Sequence, residues 1–109
     1  MKRLVALGLL LFSLSSVQWR SSDTFLPQEQ MVSILVDLEL ARALVGHYTD
    51  DEATASQWLK QNALLVYQAH DIAPDTFQKS YQHYLTQLEV MQEIYEAVID
   101  RLEELEDQL

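Results

Sequence analysis

The chain has 109 residues, 49% of them hydrophobic, which supplies one small core and falls short of a two-domain enzyme. Seven Lys+Arg against 17 Asp+Glu leave a net charge of −10, the wrong sign for gripping a phosphate backbone, so no nucleic-acid partner is expected. The absence of cysteine excludes disulfides, thiolate metal sites and thioether lipid attachment, and two glycines with two prolines are too few for the turns of a β-sandwich.

Met1-Lys2-Arg3 is a basic start, and the uncharged run Leu4 to Leu14 follows it. Eleven helical residues span roughly 16 Å against a hydrocarbon core of about 30 Å, the length of a signal-peptide apolar region rather than of a membrane span. Ser13 and Ser15 suit a cleavage site before Ser16, so residues 1–15 are read as a signal peptide. Leu14-Ser15-Ser16 has the form of a lipobox, but its fourth position is Val17, which has no thiol to acylate. The expected location is the periplasm or cell envelope without a lipid anchor, with membrane contact only through an uncleaved signal segment. Loss of Lys2 and Arg3 with the leader would take the charge from −10 to −12.

Residues 16–26 are polar and aperiodic and read as a tether; residues 27–109 read as a helical domain. Pro27 suits a first helical position, and Met31, Ile34, Leu35, Leu38, Ala41 and Val45 form a stripe at helical spacing. Val36, Leu40, Ala43 and Leu44 carry apolar character around most of this helix, which predicts a central element, with Gly46 as its left-handed cap. Asp50-Asp51-Glu52 supplies a cap and first-turn carboxylates for a second helix running to about Ile72. Its stripe is Ala55, Trp58, Leu59, Leu65, Val66, Ala69 and Ile72. Ala73-Pro74 breaks that helix and starts a short third one bearing Phe77, Tyr81, Tyr84 and Leu85. Thr86 and Glu89 have capping-box spacing, and a fourth helix from about Gln87 carries Met91, Tyr95, Val98, Leu102, Leu105 and Leu109 as a heptad seam. The prediction is an all-α, four-helix domain behind a signal peptide and tether.

Several of these segments stand together in a familiar order: Ile34-Leu35-Val36-Asp37-Leu38-Glu39-Leu40-Ala41, Tyr67 ahead of Asp71-Ile72-Ala73-Pro74, then Phe77-Gln78-Lys79-Ser80-Tyr81-Gln82-His83-Tyr84 and Ile94-Tyr95-Glu96-Ala97-Val98. With the leader and tether, they resemble the family catalogued as domain of unknown function 4296, short exported bacterial envelope proteins that are usually lipoproteins. The resemblance covers nearly all of the chain after the leader. It implies an envelope location and an all-helical domain, and it brings no activity. Val17 at the lipobox cysteine and Glu39, where the family often has a basic or aromatic residue, depart from the pattern.

Asp37 lies in the most apolar helix, so it should have a partner; Tyr67, Tyr81, Tyr84 and Arg42 are the candidates. A polar pin of Asp37 with Tyr81 and Tyr84, fixing how the first and third helices dock, is the structural reading; a general base or ligand contact, and plain surface exposure, are its rivals. His47, His70 and His83 have no helical metal-ligand spacing, Asp50-Asp51-Glu52 lacks the glycine and alternation of a calcium loop, and Ser56 and Ser80 lack a nucleophile elbow. No catalytic residue, metal or cofactor is expected. The functional expectation is a non-enzymatic interaction or accessory module with an unidentified protein or peptide partner. Its docking groove would be Phe77, Tyr81, Met91, Tyr95, Val98 and Leu102, between the third helix and the seam of the fourth. The alternative is a homodimer joined through the Met91 to Leu109 seam.

Overall fold

The computed structural model describes residues 24–109, so the signal-peptide reading, the lipobox and most of the tether lie outside the described residues. Four helices follow: α1 (Gln28–Tyr48), α2 (Glu52–Ala69), α3 (Pro74–Leu85) and α4 (Leu88–Asp107). The described residues contain no strand, and the all-α, four-helix expectation holds.

Helix α1 starts one residue later than predicted: Pro27 is its N-cap, and its carbonyl accepts the first helical bond from the Met31 amide at 3.0 Å. Gly46 does not end it. The helix runs on to Tyr48, Gly46 has no positive φ, and Thr49 stops the helix in an extended conformation. A glycine inside a helix costs about 0.5–1 kcal/mol relative to alanine. A Cβ at Gly46 would meet nothing within 4 Å. Gly46→Ala is therefore expected to raise stability by about 0.5–1 kcal/mol in urea denaturation, with no change in the helical circular-dichroism signature.

The N-terminus of α2 forms as predicted. Asp51 is the N-cap, and its Oδ2 accepts from the Thr54 amide at 2.9 Å and from the Thr54 hydroxyl at 2.6 Å. These bonds to the ionised form, the hydroxyl's first, hold the Asp51 pKa below its ordinary value of 3.8. A depressed carboxylate stabilises the fold above its unfolded pKa and ceases to do so as pH falls through the folded value. Asp51→Asn, which keeps an accepting oxygen and cannot titrate, should flatten the fall of melting temperature below about pH 4.

Helix α2 ends at Ala69, short of the expected Ile72. Asp71 adopts φ 56, and two reversed bonds close the helix: Asp71 N–H to the Gln68 carbonyl and Ile72 N–H to the Tyr67 carbonyl, each 3.0 Å. This is a Schellman closure with aspartate at the left-handed position that glycine normally takes, and Ile72 folds back onto the core. Pro74 then opens α3 at its first turn, where its missing N–H leaves no gap. The capping box does not form: the Thr86 hydroxyl turns back to donate to the His83 carbonyl at 2.6 Å, closing α3, and Gln87 precedes α4 without a side-chain cap.

The core joins Met31, Ile34, Leu35 and Val36 of α1 to Tyr67 of α2, Phe77 and Tyr84 of α3, and Met91, Ile94 and Val98 of α4. Helix α1 packs on both α2 and α4, and α3 packs mainly on α4. It is covered on several sides only over its first half: farther on Val45 stays buried, while Leu40, Ala43 and Leu44, predicted to be covered, are exposed. In α2, Trp58, Leu65 and Ala69 likewise point outward, and Tyr67 is the buried position.

Candidate interaction site at the open end of the helices

The polar side chains between the helices are arranged differently from the predicted pin, and the Asp37 side chain is 46% exposed. The Asp37 carboxylate bonds His70 Nε2 at 2.7 Å, tying α1 to the end of α2. None of the four candidate partners is used: Arg42 pairs with Glu39 on its own helix, and the two tyrosines of the pin are engaged elsewhere. Tyr81 shares a 3.0 Å hydroxyl–hydroxyl bond with Tyr95 of α4, and Tyr84 donates to the Leu26 carbonyl at 2.6 Å. Burial, then the bond with Tyr81, pushes the Tyr95 pKa up to about 12, and the hydroxyl pair joins α3 to α4. The pin thus becomes three ties: one joins α1 to the end of α2, one joins α3 to α4, and one joins α3 to the strap before α1. The partner of Asp37 was out of reach of sequence reasoning because a 33-residue separation follows no helical spacing.

The predicted α3–α4 groove is closed. Phe77, Met91 and Val98 are core residues, and Tyr81, Tyr95 and Leu102 are half-buried around them, because Phe77 stacks between Tyr67 and Tyr81 with ring centroids 5.1 and 5.7 Å apart. The same burial removes the first half of the heptad seam from any dimer contact. Past Leu102 only Leu105 and Leu109 remain exposed on it.

Phe25 and Leu26, read as the end of the tether, belong to the domain. Phe25 lies flat on His83, centroids 3.9 Å apart, and Leu26 is buried with both backbone groups bonded: N–H to Ser80 Oγ at 2.9 Å, carbonyl to Tyr84. Ser80 is 1% exposed, and its part in holding Leu26 carries no sequence signal beyond its place one turn from Phe77 and Tyr84.

This anchor sets the direction of the helices. Leu26 meets Tyr84 just before α4 begins, and farther along, the charges of Glu39 and Arg42 are near enough to act on Tyr95; α1 and α4 therefore start together and run parallel. Helix α3 has 12 residues, about 18 Å, whereas α1 with 21 and α4 with 20 reach about 30 Å, so α3 covers only the half nearest the anchor. Helix α2 overhangs too. His70 meets Asp37 about 16 Å before the end of α1, yet the 18 residues of α2 occupy about 27 Å. The extended Thr49–Asp51 connection takes up the difference and carries the first turns of α2 beyond Tyr48.

Towards this far end, part of the apolar surface is open, although Val45 is buried. Leu40, Leu44 and Tyr48, each four residues apart on α1, are 44%, 56% and 71% exposed. On α2 the continuation of the core-facing strip, Glu52, Ala55, Ser56, Leu59, Lys60 and Ala63, lines a shallow open trough. A family model, Domain of unknown function (DUF4296), matches residues 23–108, from the anchored strap through all four helices. The chain belongs to that family. Neither the curated proteins nor the solved structures contain a match to it. Within this DUF4296 domain, the residues that sequence reasoning assigned to docking pack into or around the core, and Leu40, Ala43 and Leu44 of α1 with Trp58, Leu65 and Ala69 of α2, expected to be covered, are exposed. The readable signal for that reversal was the short span between Ala73-Pro74 and Thr86, half the length of the helices beside it.

Proposed function

We propose that this DUF4296 domain is a non-enzymatic interaction module of the bacterial cell envelope, exported by its leader and not lipid-anchored. The observation that carries the reading is apolar surface left open towards the far end of the helices: Leu40, Leu44 and Tyr48 along α1, and the trough along α2. A domain this small gains stability by burying apolar side chains, and exposed apolar side chains grouped along one helix mark a surface meant for a partner. Export rests on the basic start, apolar run and small residues of the first sixteen positions, and the lack of an anchor on Val17.

The Asp37–His70 pair resembles the carboxylate–imidazole half of a general base, but Asp37 occupies Nε2 and the pair spans a helix–helix contact, which suits a tie. Homodimerisation through the C-terminal seam has less support, since Met91 and Val98 already pack within the chain.

Affinity capture from an envelope extract, run in parallel with the wild-type chain and Leu44→Asp, tests the reading. A partner retained by the wild type and lost by the variant, with unchanged helical circular dichroism, is expected; identical captures would refute it. The same preparation should yield an N-terminus at Ser16 and take up no fatty-acid label, whereas Val17→Cys should become labelled.

A further inference from the structure

Resting on that interaction reading, we infer that the open end of the domain receives a basic amphipathic helix. Three features of this end argue for it. The first is shape: α3 stops half-way, so α1, α2 and α4 continue without the fourth rod that would complete a bundle, and the trough along Ala55, Leu59 and Ala63 is the strip on which such a rod would lie. Parallel apolar stripes at helical spacing accept another helix by interleaving side chains, and an extended strand has no sheet edge here to pair with.

The second is charge. Asp50, Asp51 and Glu52 stand at the α1–α2 turn, and Glu103, Glu104, Glu106 and Asp107 crowd the last turns of α4, which the parallel course of α1 and α4 brings to the same end. Among the described residues, Lys60 in the trough, Arg101 on α4 and the His47 imidazole in the last turn of α1 are the basic side chains that belong here, fewer than the seven carboxylates; Arg42 is tied to Glu39, and Lys79 lies on α3 in a pair with Asp75. The third is the backbone. Helices α1 and α4 finish at this end while α2 begins there, its N-terminus met by the Asp51 cap, so the unpaired carbonyls outnumber the free amides and add negative potential to the carboxylates. An apolar floor inside an acidic rim selects a helix with leucine-like residues on one face and Lys or Arg on the other, and disfavours a second copy of this acidic chain.

Fluorescence anisotropy with the full chain tests this. The probe is a dye-labelled 18-residue helical peptide with leucines on one face and lysines on the other; the counter-probe has the same leucines and glutamates in place of the lysines. The lysine peptide should bind at least about tenfold more tightly, and its affinity should fall as ionic strength rises. Leu44→Ser with Leu59→Ser should weaken it about tenfold, and Glu103→Gln, Glu104→Gln and Glu106→Gln together severalfold. Glu89→Gln, Glu93→Gln and Glu96→Gln, the same charge change at the anchored end of α4, should leave binding unchanged; equal loss in both sets would reduce the effect to net charge and overturn the proposal. Circular dichroism of each variant establishes that the fold is intact.

Equal binding of both peptides, abolished by the leucine changes, would overturn the basic partner while leaving an apolar interaction surface in place. Binding of neither would overturn the surface as well. A dimer by light scattering that Leu44→Ser dissociates would give the trough to a second copy, and binding that appears only after residues 1–15 are removed would give it to the chain's own leader; either result overturns the proposal.

Discussion

Ile94→Ala is expected to remove about 2–5 kcal/mol of folding stability, whereas Leu44→Ala should change it by less than about 0.5 kcal/mol. Both replace a branched aliphatic side chain in a helix with alanine, so helix propensity contributes little to the contrast. Burial makes the difference. Ile94 is 1% exposed and lies on the α4 face that meets the core of α1, while Leu44 is 56% exposed at the uncovered end. Truncating Ile94 forfeits its transfer free energy and leaves a cavity among Met31, Ile34 and Val98, themselves at most 2% exposed, which rigid helices fill only in part. A domain of this size has about 5–15 kcal/mol to lose and no disulfide to limit the unfolded chain, so the variant should melt more than about 10 °C below the wild type. Urea denaturation of both variants, with an unchanged slope, measures the contrast; equal losses would mean that the far end is covered after all.

The same contrast shows what was legible in the sequence. Periodicity located all four helices, and the breaks at Asp51, Ala73-Pro74 and Thr86-Gln87 fell where the chain turns. Met31, Ile34, Leu35 and Val45 are buried as their spacing required. The period tells which side chains share a face; it does not tell how far the neighbouring helix extends along that face. Leu40 and Leu44 continue the apolar circumference of α1 into a region that the 12-residue α3 does not reach, so the same pattern yields core at one end and surface at the other. Chemistry at termini was legible only where alternatives were few. Asp51 had one obvious role and took it, whereas Thr86 could cap the helix ahead or close the one behind, and it closed the one behind. Gly46 and Asp71 show the same limit, because the chain needed its left-handed residue at the end of α2 and not of α1, and register rather than residue type decided that.

Ser80→Ala and Tyr84→Phe should each destabilise the domain by about 1–3 kcal/mol, although each removes a single oxygen. Ser80 Oγ accepts the Leu26 N–H at 2.9 Å and the Tyr84 hydroxyl donates to the Leu26 carbonyl at 2.6 Å, so both backbone groups of one buried residue depend on two α3 side chains. Losing either partner strands a buried polar group, and its desolvation penalty exceeds the net worth of an ordinary hydrogen bond. The double variant should lose less than the two single losses added, because once Leu26 lifts away, the second bond has nothing left to hold. Amide exchange separates two routes to that loss. If the strap undocks alone, the amides of Leu26 and Met31 exchange faster while those around Ile94 keep their protection; if the helices separate with it, all accelerate together. The first outcome is expected, since Ile34, Ile94 and Val98 pack without help from the strap, whereas Phe25 on His83 offers only one stacked ring pair in its place. That local opening would free the end of the domain nearest the leader and leave the open apolar end untouched, so peptide binding there should survive both substitutions.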